Sequence, residues 1–176
     1  MANDRRAILI AWYSETGHSE EAALALDKAL DATIEEIRCP LYEDRHGFWL
    51  FCWRAITALF GRAAAIEPPR HDPAGFDLVV LVAPVWAGRL ATPMRGYLEQ
   101  FRGRLHKVAY VATLSGDDAG RAFADYAALT GQPGVGRLAL SDADRNGHRD
   151  TKLLADFART LVAGLPTPPV RDEPKD

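Results

Sequence analysis

Hydrophobic and polar positions follow one another along this chain in blocks. Ala7-Ile8-Leu9-Ile10-Ala11-Trp12 is a short uncharged run, the pattern of a strand buried on both faces. Phe76-Asp77-Leu78-Val79-Val80-Leu81-Val82-Ala83 is the clearest such run, β-branched and without charge after Asp77. Thr33–Arg38 reads as a shorter strand near a sheet edge, closed by Cys39-Pro40, and Val108–Thr113 and Gly136–Leu140 read as two more. Segments of helical period separate them. Glu20–Leu26 follows the first strand, and Thr92-Pro93 opens a helix through Met94, Tyr97, Leu98 and Phe101, with Thr92 as N-cap and Pro93 in the first turn. Arg121–Leu129 spaces Phe123, Tyr126 and Leu129 helically, and Asp150–Val162 sets Leu153, Leu154, Phe157 and Leu161 on one face.

This regular strand–helix alternation, with buried strands, predicts an α/β fold: a doubly wound five-stranded parallel sheet with helices on both faces. Right-handed crossovers leave few topologies, and five strands favour the order 2-1-3-4-5, with its switch point between the first and third strands. A ligand then binds at the C-terminal ends of those strands, which places the loop Ser14–Ser19 beside the loop that starts at Pro84. One domain over residues 1–164 accounts for the whole pattern, except for an aromatic-rich insert at about 41–67 and a Pro-rich, charged tail at 165–176 whose composition predicts disorder.

Composition narrows the partners. With a formal net charge of −3, the chain lacks the basic excess of a nucleic-acid binder. No apolar stretch reaches the roughly 18 residues of a spanning helix. Arg5-Arg6 precedes an apolar run too short for a secretory signal, and that run leads into Ser-Glu-Thr-Gly. Cys39 and Cys52 have no C-x-x-C spacing, which reads as two reduced, partly buried thiols in a cytoplasmic protein.

The candidate chemistry begins at Ser14-Glu15-Thr16-Gly17-His18-Ser19, a turn joining a buried strand to a helix. The first N–H groups of a helix lack intrahelical partners and that end is partly positive, so it accepts an anion, most often a phosphate. Ser14, Thr16 and Ser19 add hydroxyls, and Gly17 allows close approach. Helix capping alone explains such residues in many turns. The turn lacks both the Gly-Lys-Ser/Thr ending of a triphosphate site and the three glycines of a dinucleotide site, so a phosphate monoester on a smaller ligand fits better. Pro84-Val85-Trp86-Ala87-Gly88 sets an aromatic residue beside it, as a packing residue or as the wall for a planar group. Thr113-Leu114-Ser115-Gly116, after the fourth strand, offers backbone groups for the opposite wall, although this is also ordinary turn chemistry.

Taken together, Ser14–Ser19 and Pro84-Val85-Trp86-Ala87-Gly88 followed by Thr92-Pro93 resemble the phosphate loop and ring loop of the flavodoxin-like family of FMN-binding proteins. Thr113–Gly116 matches that family's third loop in position. The resemblance covers roughly residues 6 to 163. It implies that FMN phosphate is held by the amides of Glu15, Thr16, Gly17, His18 and Ser19 and by the hydroxyls of Ser14, Thr16 and Ser19. It also implies that Pro84, Val85, Trp86, Ala87 and Gly88 line the isoalloxazine, and that Thr113, Leu114, Ser115 and Gly116 bound its pyrimidine side. His18 stands where the family often has a small polar residue, and the third loop lacks the aromatic that many electron-carrying flavodoxins place over the ring. Those carriers are usually strongly acidic, which a net charge of −3 does not match. The resemblance is closer to the broader group of flavodoxin-domain proteins that includes quinone and NAD(P)H-linked oxidoreductases, which implies electrons passed through FMN to a small acceptor such as a quinone, with no side chain singled out as catalytic. The alternatives are a flavodoxin serving a protein redox partner, and an FMN-free binding module. In the insert, Phe48, Trp49, Phe51, Trp53 and Phe60 read as a crossover helix packed on the sheet. Any surplus would serve a homodimer interface, a hydrophobic pocket over the ring or a membrane surface.

Overall fold

Strand β3 (Leu78–Trp86) is the middle of the sheet, and its first six residues are buried without exception. Parallel neighbours flank it, β1 (Ile8–Trp12) through Ile8↔Leu78 to Trp12↔Val82, and β5 (Val108–Leu114) through Val79↔Val108 to Pro84↔Thr113. Outside them lie β2 (Thr33–Glu36) against β1, and β6 (Arg137–Ser141) against β5. The order is β2-β1-β3-β5-β6, with a two-stranded hairpin from β3 to β4 (Arg89–Leu90) off that path. Without the hairpin this is the order 2-1-3-4-5. The computed structural model describes residues 7–43 and 62–165. The aromatic residues 48–60 of the insert and the tail from Pro166 lie outside the described residues.

Side chains of period two sort the sheet into two faces. Ile8, Ile10, Leu78, Val80, Val82, Ala109 and Val111 face α1 (His18–Leu30) and α6 (Asp150–Gly164), meeting Leu26, Leu154, Phe157 and Leu161. Leu9, Ala11, Val79, Leu81, Ala83 and Tyr110 face the other way, onto Met94, Tyr97 and Leu98 of α3 (Thr92–Gln100) and Tyr126 of α4 (Gly120–Thr130). Short helices follow two of the strands: α2 (Pro40–Glu43) after β2, and α5 (Asp142–Asn146) after β6.

The structure departs from the sequence expectation in several places. The residues expected to leave the third strand as a loop instead extend it to Trp86 and fold back as β4, through a two-residue turn with φ +50 at Ala87 and +76 at Gly88. Positive φ at both central residues is what lets a hairpin turn match the twist of its strands. Thr92 is not the N-cap of α3. Ala91 holds that position, no side chain caps it, and the Thr92 hydroxyl lies 2.9 Å from the Tyr42 hydroxyl. Cys39 is fully buried and donates its thiol to the Ala65 carbonyl at 3.3 Å. At the sheet edge, Glu35 is buried despite its charge. It accepts hydrogen bonds from the amides of Arg70 and His71, both at 3.0 Å, and meets the His71 ring, so a loop covers the open side of β2.

The chain re-enters the described fold through a segment laid across α3. Ala64 donates its N–H to the Thr92 carbonyl at 3.0 Å, and Glu67 to the Arg38 carbonyl at 2.9 Å. Gly96 makes this crossing possible, because a Cβ there would stand 2.1 Å from the Ala64 carbonyl oxygen. Gly96→Ala should therefore lower stability by about 1–3 kcal/mol in urea unfolding, the usual cost of overpacking. Wild-type stability would show that the segment does not rest on α3.

Candidate functional site

The turn after β1 is shaped by its own side chains. Gly17, with φ +90, is the N-cap of α1 and donates its N–H to the Ser14 Oγ at 3.1 Å. The first intrahelical bond runs from the Glu21 N–H to the Gly17 carbonyl at 2.9 Å, and no side chain caps the helix. Of the three hydroxyls nearby, Ser14 is turned to Gly17. Ser19, 1% exposed, shares a hydrogen with Thr113 across a 2.7 Å Oγ–Oγ1 separation. That contact ties the first turn of α1 to the end of β5. Thr16 is exposed at the mouth of the turn.

The hairpin that follows β3 is gripped from below. Asp125 of α4, 8% exposed, accepts the Leu90 N–H at 3.1 Å and pairs with Arg89 at 2.9 Å and with Arg95 of α3. Arg95, 5% exposed, donates its Nε to the Leu90 carbonyl at 3.2 Å. One carboxylate thus meets two guanidinium groups and a backbone amide, so the buried charge is both paired and hydrogen-bonded. The device fixes β4 and, through the turn, Trp86. Holding Ala87 in the left-handed region costs about 1 kcal/mol relative to a relaxed backbone. Trp86 is half-buried and packs edge-on against Tyr13, at 5.7 Å and 83°, and Tyr42, at 5.5 Å and 87°. It is a packing residue and a wall at once.

Between these elements, at the C-terminal ends of β1, β3 and β5, lies a cavity of about 410 Å³. It is lined by Glu15, Thr16 and His18 from the first turn, and by Pro84, Val85, Trp86 and Ala87 from the hairpin. Thr113, Leu114 and Ser115 from the end of β5 complete the wall, together with Arg145. Of the residues singled out in the sequence, Ser14, Gly17, Ser19, Gly88 and Gly116 are not among the lining. Ser14, Gly17 and Ser19 build the turn beneath the cavity, and Gly88 sits in the hairpin turn. The volume falls within the roughly 300–1,000 Å³ of small-molecule pockets. Chemically, one side offers an uncapped helix start that favours an anion, and another a flat aromatic flank.

Arg145, Asp125, Arg89 and Arg95 were not singled out by the sequence reading. Arg145 lies on α5, whose start is a capping box: Ser141 Oγ accepts the Asp144 N–H at 3.2 Å, and Asp144 accepts the Ser141 N–H at 3.1 Å. The Ser141 hydroxyl and amide, with a smaller contribution from Arg149, hold the Asp144 carboxyl below its usual range. Ser141-x-x-Asp144 directly after a strand was a legible signal for this helix, and so for a side chain at the C-terminal end of β6. The buried Asp125 had no such signal.

No known family model matches the chain, and no curated protein does. Solved structures do. A flavoprotein from Lactobacillus acidophilus NCFM, crystallised in complex with FMN, is similar at TM-score 0.68 and 20% identity, over 81% of this chain and 97% of that one. A flavodoxin from Streptococcus pneumoniae TIGR4 is similar at TM-score 0.55 and 18% identity, over 91% of this chain and 100% of that one. A flavodoxin, WrbA-like protein from Agrobacterium tumefaciens matches at TM-score 0.55 and 12% identity, over 91% and 99%. The fold is flavodoxin-like.

Removing the carboxylate under the hairpin would strand two guanidinium groups and the Leu90 amide. Asp125→Ala should destabilise the protein by about 3 kcal/mol or more in chemical denaturation. A loss below about 1 kcal/mol would show that the cluster does not hold β4.

Proposed function

We propose that the cavity at the ends of β1, β3 and β5 holds FMN, and that the chain is a flavodoxin-like oxidoreductase passing electrons through it to a small acceptor such as a quinone. The observation that carries this reading is that one cavity joins the uncapped start of α1 to the flank of Trp86. That pairing suits a ligand with an anionic end and a planar apolar end. The residues present fit the group. A free helix start, exposed donors and about 410 Å³ of space are available without moving the backbone. The similar L. acidophilus flavoprotein was crystallised in complex with FMN, which supports this reading.

FMN, when bound, supplies one-electron, two-electron and hydride chemistry. The chain supplies position and electrostatics. The amides of His18 and Ser19 and the Thr16 hydroxyl would hold the phosphate, whereas Ser14 and Gly17 set the turn through their own hydrogen bond. Ser19, committed to Thr113, locks α1 against β5. Trp86 and Val85, which line the cavity, would exclude water from one side of the ring, and the backbone at Leu114 and Ser115 would border its pyrimidine side. Donors at that edge lower the cost of negative charge on the reduced ring. A net charge of −3 gives little long-range attraction to a basic protein partner, which favours a small acceptor.

The full-length protein mixed with FMN should retain it through gel filtration and show the visible spectrum of a bound flavin. Thr16→Glu, an exposed substitution that places a carboxylate at the mouth of the turn, should weaken FMN binding at least about tenfold, or about 1.4 kcal/mol, with unchanged circular dichroism. Unchanged affinity would mean that the phosphate does not sit at α1. A wild-type protein that takes up no FMN would overturn the function.

A further inference from the structure

Trp86 is the last residue of β3, half-buried, with the two-residue turn immediately beyond it. A flank that serves a planar ligand needs its ring held at one angle, because a side chain ordered only on binding takes that cost from the affinity. Two tyrosines that do not line the cavity supply the support. Tyr13 comes from the end of β1, where its N–H is bonded to the Val82 carbonyl at 3.0 Å. Tyr42 comes from outside the sheet, on α2, and is 7% exposed. Its ring centroid lies 5.5 Å from that of Trp86 at 87°, the edge-to-face arrangement that aromatic pairs favour.

The other end of Tyr42 is anchored. Its hydroxyl lies 2.9 Å from the hydroxyl of Thr92, the buried first residue of α3. Thr92 is itself held, since its carbonyl accepts the Ala64 N–H at 3.0 Å. The neighbouring Ala91 donates its N–H to the Pro84 carbonyl at 3.2 Å, two residues before Trp86. Trp86, Tyr42, Thr92 and Pro84 thus close a circuit of contacts that returns to the strand it left.

We propose that Tyr42 is a positioning residue for the flavin ring, which presets the Trp86 indole as a wall and does not itself touch the ligand. This deepens the FMN reading above and rests on it. The ring of Tyr42 fixes the angle of the indole, and the bond to Thr92 keeps that ring from sliding along α2. Such support from behind is what holds a binding group within a narrow range of geometry. A preset wall serves every ligand that carries the isoalloxazine, whereas the start of α1 serves only one that carries a phosphate. The two parts of the site are therefore separable by ligand.

Comparing FMN with riboflavin tests this. Dissociation constants for both are measured by flavin fluorescence on the full-length wild type, Tyr42→Leu, Tyr42→Phe and Phe101→Leu, with urea unfolding giving the stability of each. Phe101 is the control, because it belongs to the same buried cluster and packs on Tyr97 but does not line the cavity. Tyr42→Leu should weaken FMN and riboflavin by the same factor, about three- to tenfold, and Tyr42→Phe should restore most of the loss by keeping the ring. Phe101→Leu should lower stability while leaving both affinities within about twofold of wild type. Wild-type riboflavin affinity in Tyr42→Leu would overturn the proposal and leave the FMN reading standing. Equal losses in Phe101→Leu and Tyr42→Leu would overturn it in favour of a general loss of packing. Failure of the wild type to bind either flavin would overturn both readings.

Discussion

Burial of β3 on both faces is the constraint from which the rest of the molecule follows. Leu78 to Ala83 present apolar side chains alternately to α1 and α6 and to α3 and α4, and none of these reaches solvent. A strand in that position needs a parallel partner along each edge, and parallel partners need helical crossovers. The crossover from β1 runs outward to β2 and the one from β3 runs the opposite way to β5. Their turns therefore part at the top of the sheet and leave a crevice between them. The cavity lies in that crevice. Its contents follow from which residues the chain places at the three strand ends.

Two polar devices make the crevice definite in shape. The Ser19–Thr113 hydroxyl pair fastens α1 to β5 across the end of β3. The Asp125 cluster fastens the hairpin to α3 and α4. Both are buried, so each is costly if broken; Thr113 itself lines the cavity, and the Asp125 cluster shapes it through the hairpin. Rigid walls of this kind reduce the ordering that a ligand must impose on binding. The strained φ of Ala87 is held in place by the same cluster, because the two strands of the hairpin leave the turn no other path.

Much of this architecture was legible in residue order. Uncharged, β-branched runs such as Leu78–Ala83 announce strands buried on both faces, and the alternation with helices forces the sheet order and thus the meeting of the first turn with the third strand's exit. The less legible parts share a physical cause, which is that their partners are distant in sequence. Asp125 reads as an ordinary helix-surface acid until Arg89 and Arg95 are brought to it. Glu35 reads as an edge residue until Arg70 and His71 donate to it. The hairpin was missed because Ala87 occupies a position that usually carries Asn, Asp or Gly. Thr92 has the chemistry of an N-cap but spends its hydroxyl on Tyr42. The charge of Arg145 was visible, while its arrival at the cavity depended on the register of β6.

The central claim is that one cavity, spanning the start of α1 and the β3–β4 hairpin, is the flavin site. It is tested most directly by titrating the isotopically labelled full chain with FMN and following backbone amides by NMR. The account predicts that the amides of Thr16 to Glu20, Trp86 to Gly88 and Leu114 to Gly116 move together at one saturation point, while the amides of α6 and the β2 edge stay in place. Shifts confined to other surfaces, or no shifts at saturating FMN, would contradict it.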